Sequence, residues 1–470
     1  MPDVNLTIQK AMQAVQEAVP TVQDDPLRPV FHFRPPARWM NDPNGTIYHN
    51  GWFHVFYQHH PFGDTHGPMY WGHTRSRDLV HWEHLPIALW PSHEKGETDC
   101  YSGCAWKDDR GRPILFYTKV DKSQDPQPPF EQWAAIPEDD DLIDWQKHPD
   151  NPILTLNNGP AFNPRWRDPF IFSEQGRTFM VVGACGEEHG TPIYEATTPN
   201  LSQWIYRGKL CGISSECPNF TRIGSHWIYL SSPYKPVDYH IGDFDLNTLT
   251  FAPSAYGILD HAEVNEKGRH INGFYASNLC FNEHNQYILF GWVRGWPAGR
   301  GWNGCLALPR LLVIGPDDRP RQIPVPELRT LRGTQKHFAD IDVTGIFVLD
   351  DIVSDTFELL AVIEPGTATC YGISIRCDQN GHHGIHISCD GTTLDVDGVR
   401  FPFSFDRGEE ALFLHLFHDK SVLEVFVNGG RAVATRVVSP TLENRHIATF
   451  AEGGTALLRA ADVWTLKSIW

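Results

Sequence analysis

The sequence predicts an all-β chain: a five-bladed β-propeller followed by a C-terminal β-sandwich, with one short N-terminal helix. Three observations lead there. Five segments share one pattern, in which a polar or acidic residue opens a short strand, a turn follows, and a second apolar strand closes the unit. The last third of the chain breaks into short alternating apolar runs. The best helical pattern lies within the first twenty residues.

Residues 5–19 place Leu6, Ile8, Met12, Val15 and Val19 at helical spacing, with Ala between and no Gly. Pro20 and Pro26 are expected to end this helix, and Pro29, Pro35 and Pro36 mark the entry to a different texture. The extension is assigned to residues 1–29. The five similar segments begin at Asp42, Ser102, Asp168, Glu216 and Tyr275; the first reads DPNGTIYHNGWFHVFYQ and the fourth ECPNFTRIGSHWIYLS. A strand–turn–strand unit recurring at such intervals is the signature of propeller blades, here over residues 30–330. In a propeller the innermost strands all start from one end of a central channel. Asp42, Asp168 and Glu216, which open the first, third and fourth units, are therefore expected in equivalent positions at one mouth.

Beyond Pro309 the pattern loosens through Pro316, Pro320, Pro324 and Pro326, and a boundary is expected near residues 327–337. From about Phe338 evenly spaced strands follow, among them 356–363, 371–376, 384–388, 411–418 and 421–427. Such strands without helices predict a sandwich over residues 331–470.

A chain of 470 residues is too long for one ordinary core, in keeping with two domains. The net charge of −18 repels nucleic acid and anionic membranes but does not penalise a neutral ligand. Aromatic residues reach 12 %, with 16 Trp; flat rings suit the C–H faces of sugars, although most fill β-cores. No apolar run is long enough to span a bilayer. Met1–Lys10 shows no basic segment followed by an apolar one, so no secretory signal is read there. The ten cysteines are scattered without CxxC pairs, which fits reduced thiols and a cytoplasmic location. Asn219-Phe-Thr221 has the form of a glycosylation sequon, but a glycan there would block the acid beside it. Gly299–Gly304 formally matches GxGxxG, yet Pro309 follows where a helix should start, so no nucleotide site is expected. His59-His60 and His382-His383 with His386 lack a visible third ligand or a scaffold, so neither a metal nor a cofactor is expected.

Glycoside hydrolysis needs two carboxyl groups about the scissile bond, one protonated and one ionised. Taken singly, Asp42 reads as part of an Asp-Pro-Asn-Gly turn, Glu216 as a loop carboxylate and Asp168 as a surface ion pair. Glu216 has no base near it in sequence, so an apolar, acid-rich pocket would favour its protonated form. Asp168 follows Arg165 and Arg167, which are expected to keep it ionised. Together the three make a catalytic arrangement.

The same residues resemble a known family. Trp39-Met40-Asn41-Asp42-Pro43-Asn44-Gly45, Phe56-Tyr57-Gln58, Trp71-Gly72-His73, Tyr101-Ser102-Gly103, Arg167-Asp168-Pro169 and Glu216-Cys217 are similar to the motifs of glycoside hydrolase family 32, the invertase, inulinase, levanase and fructan exohydrolase group. Asp78-Leu-Val-His-Trp82 and His418-Asp-Lys-Ser-Val-Leu-Glu-Val-Phe426 extend the likeness, which covers roughly residues 31–470. It implies retention through a covalent fructosyl-enzyme, with Asp42 as nucleophile, Glu216 as acid/base and Asp168 as the holder of fructose hydroxyls. It also implies that Asn41, Gln58, Trp71, Ser102, Arg167 and Trp292 line a fructose pocket, with no metal required. The substrate expected is a sucrose, fructo-oligosaccharide or fructan. A sequence Phe274-Tyr-Ala-Ser277 resembles the plant branch, but His270 and Gly273 stand where that branch has an acid and a Lys, which weakens a preference for sucrose. Lys119 replaces the usual Gly, and the insert Ser123–Pro129 has no parallel. A fructosyltransferase or dianhydride-forming enzyme on the same scaffold, and a non-catalytic sugar-binding propeller, remain alternatives at this stage. A homo-oligomer is left open.

Overall fold

The computed structural model describes residues 4–284, 286–349, 352–406 and 408–470. Met1–Asp3, part of the segment searched for a secretory signal, lie outside the described residues.

Each repeat folds as the two innermost strands of an antiparallel blade. The inner strands are Arg38–His49, Asp99–Lys107, Arg167–Glu174, Glu216–Ile223 and His270–Phe281 in blades I to V. Asn50 and Gly51, at φ of 49° and 80°, form the two-residue turn that lets blade I reverse without splaying its strands. Gln175 and Gly176 do the same in blade III.

The ring closes by a feature too small to read in advance. Trp302 and Asn303 pair in parallel with Arg38 and Trp39, so a fragment beyond the inner strands of blade V becomes the fifth strand of blade I. Helix Val4–Val22 covers this seam. Its apolar stripe sets Ala11 against Tyr70, Ile87 and Trp90, and Val15, Ala18 and Val22 into the propeller core. Asp25, just past the helix, accepts from Arg300 Nη1 at 2.7 Å and Trp302 Nε1 at 3.0 Å. Pro20 does not end the helix as expected, because the last turn continues to Val22. Pro20 sits on the exposed face, while Val22 is wholly buried and Thr21 Oγ1 donates to the Ala18 carbonyl. Packing here outweighs the hydrogen bond that proline removes.

The C-terminal domain is a ten-stranded antiparallel sheet folded into two layers about one apolar core. Its long strand His446–Leu466 pairs first with Cys370–Cys377 and then with Thr356–Glu364, carrying the chain from one layer to the other. The domain is locked to the propeller by buried charge. Asp419 accepts from the backbone N–H groups of Val30, Phe31 and His32 at 2.8, 2.8 and 2.9 Å. The His32 ring lies between Asp419 and Glu424, and Arg310 bridges Glu424 and Asp260 at 2.7 and 2.8 Å with no side-chain exposure. These are the charges of the His418–Phe426 motif, so that motif serves the domain junction.

Candidate active site

Every inner strand carries a β-bulge near its start. In blades I, III, IV and V two unpaired residues on the inner strand face one on its neighbour: Asn41-Asp42, Asp168-Pro169, Cys217-Pro218 and Ala276-Ser277. In blade II the unpaired residue is Ser102. A bulge re-aims side chains, and five of them around one ring turn five strand openings into the same mouth. Asp168, Cys217 and Ala276 all take left-handed φ, at 65°, 48° and 52°. Non-glycine residues held there store strain that surrounding structure must enforce.

The bulges also correct the expected equivalence of the three carboxylates. Glu216 aligns with Arg167 and Tyr275, each the last paired residue before its bulge. Asp168 is the first bulge residue of its strand and Asp42 the second. The carboxylates thus stand on three successive register steps, converging without being equivalent.

Asp42 is gripped from three sides. Ser102 Oγ donates to Oδ2 at 2.5 Å, Asn41 Nδ2 to Oδ1 at 3.1 Å, and the Cys217 thiol lies 3.7 Å from Oδ2. Gln58 ties this grip together, accepting from Asn41 at 2.8 Å and donating to Ser102 at 2.5 Å. Burial pushes the Asp42 carboxyl above its usual range, the Ser102 and Asn41 hydrogen bonds pull it down, and the charge of Glu216 pushes it up. Donors aimed at both oxygens of a buried carboxylate favour the ionised form that a nucleophile needs.

Asp168 accepts the Cys217 N–H at 3.0 Å, and its own N–H donates to Thr118 Oγ1 at 2.9 Å. Burial is the main force raising its pKa to about 7; the charges of Glu216 and Asp42 add to this, and Arg167 only partly opposes it. The expected ion pair with Arg167 is a long one, Nε lying 3.9 Å from Oδ2. Arg167 instead goes to Glu216, its Nη2 at 2.6 Å and Nε at 3.2 Å from Oε1. The expectation that Arg167 keeps Asp168 ionised is therefore reversed, and Glu216 does have a base beside it, because the bulge turns Arg167 across to the next blade. Arg165, the other base, packs its guanidinium 5.2 Å from the centre of the Phe130 ring.

Glu216 has two unlike oxygens. Oε1 accepts from Arg167 and from Tyr234 Oη at 2.9 Å, while among the described residues Oε2 has only Tyr275 Oη, at 3.0 Å. The Tyr275 hydroxyl accepts the Tyr234 N–H at 2.8 Å and lies 3.0 Å from the Ser232 carbonyl. Its single proton has two acceptors, so it donates to Glu216 when that group is charged and to Ser232 when Oε2 carries a proton.

Of the residues expected to line the pocket, Asn41, Gln58, Ser102 and Arg167 meet at the mouth. Trp71 does not. It is wholly buried, with its indole N–H donating to the Tyr101 carbonyl at 3.2 Å and its ring beneath Gly45. Its motif marks a blade-packing position whose alternation in the strand points it into the core. Trp292 is 6 % exposed, packed edge-on to Trp39 at 5.6 Å, with Arg294 4.9 Å from its ring centre. Tyr234 and Tyr275 were not singled out from sequence as site residues. The place of Tyr275 at the opening of the fifth repeat is the signal that finds the second; nothing in the sequence marks the first. Among aromatics, Trp39, His66, Tyr101 and Phe130 form a continuous arc at centroid spacings of 6.4, 6.1 and 5.8 Å.

Two weaker signals resolve structurally. The amides of Gly299 and Gly301 donate to Asp64 Oδ2 at 2.7 and 2.9 Å, so the glycine-rich loop holds an internal carboxylate. Asn219 is buried and donates to the carbonyls of Cys217 and Ser277, which leaves no room for a glycan in the folded chain. All ten cysteines carry free thiols.

Residues 32–324 match the family model of the glycosyl hydrolases family 32 N-terminal domain, and residues 327–465 that of its C-terminal domain. The chain is 29 % identical to raffinose invertase of Escherichia coli over 93 % of its own length and 95 % of the relative's. It is likewise 29 % identical to levanase of Bacillus subtilis, over 95 % and 71 % of the two chains. Among solved structures, fructan 1-exohydrolase IIa from Cichorium intybus superposes with a TM-score of 0.83 at 22 % identity, over 94 % of this chain and 98 % of that one. Sucrose-6-phosphate hydrolase from Lactobacillus gasseri does so at 0.83 and 24 %, over 98 % and 97 %. At those identities the superpositions speak to the fold.

Proposed function

From the premise that the chain belongs to glycosyl hydrolase family 32, we propose that its three mouth carboxylates release terminal β-D-fructofuranosyl units by a two-step, retaining route. The enzyme is a glycoside hydrolase acting on β-fructofuranosides such as sucrose and fructans. Asp42 attacks the anomeric carbon as Glu216 Oε2 delivers its proton to the leaving oxygen; the C–O bond breaks and a fructosyl ester on Asp42 forms. Glu216, now charged, takes a proton from water, which displaces Asp42 and restores both groups. Asp168, held by the Cys217 amide, receives fructose hydroxyls. The observation that carries this reading is the unlike treatment of the two working carboxyls. Asp42 is surrounded by donors on both oxygens, whereas Glu216 keeps one oxygen lightly engaged.

The transferase and binding-protein readings are not favoured by the relatives, whose names are invertase, levanase and sucrose-6-phosphate hydrolase. The decisive experiment follows sucrose, kestose, inulin and levan by product analysis, with Glu216→Gln alongside. Free fructose, first appearing as the β-anomer by NMR and lost in the variant, is the expected result. Initial release of the α-anomer would mean inversion and would refute the role given to Asp42.

A further inference from the structure

Tyr234 stands in the loop after the second strand of blade IV, and the residue is 51 % exposed although its hydroxyl is committed. That hydroxyl donates to Glu216 Oε1 at 2.9 Å and accepts from Arg167 Nη2 at 2.5 Å. Its backbone is fastened as well: its N–H donates to Tyr275 Oη and its carbonyl accepts from the His270 N–H, both at 2.8 Å. The residue is held at φ 61°, a conformation uncommon for a bulky non-glycine residue. Two hydrogen bonds thus hold the strained backbone and two more hold the hydroxyl, so that a phenol stands over the acid/base with an open face to solvent.

With half of its surface left open to solvent, the side chain forgoes much of the hydrophobic energy a buried tyrosine would gain. A large, rigid aromatic face left open beside the group that protonates the leaving oxygen is placed for the leaving sugar. Resting on the reaction proposed above, we propose that Tyr234 is the leaving-group contact of this enzyme, its ring stacking on the departing sugar and its hydroxyl fixing that wall to Glu216. The fructosyl unit is held elsewhere, by the Asn41, Gln58, Ser102 and Asp168 side of the mouth, so the ring discriminates among leaving groups without touching the reacting carbon.

The test compares two substrates with the same fructosyl unit: sucrose, which loses a sugar, and methyl β-D-fructofuranoside, which loses methanol. Tyr234→Asn removes the ring while keeping a residue that tolerates left-handed φ; Tyr234→Gly is its duplicate should Asn fold poorly. The ratio of kcat/KM on sucrose to that on the methyl fructoside is expected to fall by about three- to tenfold in both, the worth of one stacking contact. Tyr234→Phe keeps the ring and loses only its tether to Glu216, so its ratio falls less than in the ring-deleted variants. An unchanged ratio in the ring-deleted variants, or loss of both activities alike, overturns the proposal by reducing Tyr234 to a support for Glu216. Glu216→Gln on the same two substrates separates this from failure of the underlying reading: if that variant kept wild-type turnover, the site assignment itself would fall.

Discussion

Arg167 reaches past Asp168, its chain neighbour, to set Nη2 2.6 Å from Oε1 of Glu216 in the next blade. The pair belongs to a chain of contacts around the mouth, Arg167 to Glu216 to Tyr275, made by residues at the same register step of blades III, IV and V. One consequence is a divided carboxylate, with one oxygen saturated and the other available. Another is that Arg167 only partly offsets the burial that pushes Asp168 up to about 7.

Arg167→Gln removes two charged hydrogen bonds from Glu216 Oε1. Charge-assisted bonds of this kind are worth about 1.5–3 kcal/mol each, so kcat/KM on sucrose should drop by at least about tenfold. A variant with the wild-type kcat/KM would show that Arg167 only fills space.

Ser102→Ala takes from Asp42 the donor that most opposes the effect of burial. The Asp42 carboxyl then rises further above its usual range. Because attack requires the ionised form, activity is lost at higher pH on the acid side: the acid limb of kcat/KM should shift upward while the plateau persists. A downward shift in the pH profile would contradict the role given to Ser102.

The domain junction makes stability pH-dependent in a defined window. Burial opposes the charge on His32, but Asp419 and Glu424 outweigh it and hold its pKa up at about 9. Its contribution is full below the ordinary histidine value near 6.5 and is lost as pH rises through 9. Asp419 and Glu424 are held below their ordinary values of 3.8 and 4.5, so their contribution is full above those and lost as pH falls. Calorimetry should find the highest Tm between about 4.5 and 6.5, with a decline toward pH 9; a flat Tm over that alkaline range would refute the assignment. Glu424→Gln leaves Arg310 and His32 buried with less compensating charge and should cost about 3–5 kcal/mol.

Gly103→Ala places a Cβ 1.9 Å from the carbonyl oxygen of Phe116 on the adjacent strand. The strand pair of blade II cannot close around it, and Ser102 loses its aim at Asp42. Soluble yield and kcat should fall together, and a crystal structure of any soluble fraction should show blade II opened. Full activity in the variant would mean that the strands separate at little cost.

The blade openings were legible because each couples a polar first residue to a strand, a turn with Gly or Asn, and an apolar second strand, as in Asp42–Gln58. Local chemistry dictates these. The three carboxylates were legible as a group for the same reason, but not their register, because a one-residue bulge leaves no mark on an alternating pattern. Nor was the direction of Arg167 legible: in sequence its neighbour is Asp168, in space it is Glu216, 49 residues on. Trp71 misled because an aromatic in a motif reads the same whether it faces a ligand or a core. Pro20 misled because a helix held by packing at Val22 tolerates a lost hydrogen bond on its exposed side.

The seam at Trp302 and Asn303 also sets a timetable. The inner strand of blade I leaves the ribosome early, yet the strand that completes the blade follows about 260 residues later, and at about 5–20 residues per second that is a wait on the order of tens of seconds. Throughout it the Arg38–Trp39 edge has no partner and is open to pairing with another chain. Asp419, which fastens residues 30–32, arrives later still. The first blade of this enzyme is thus secured last, and its vulnerable interval is during synthesis, before any carboxylate has met its neighbours.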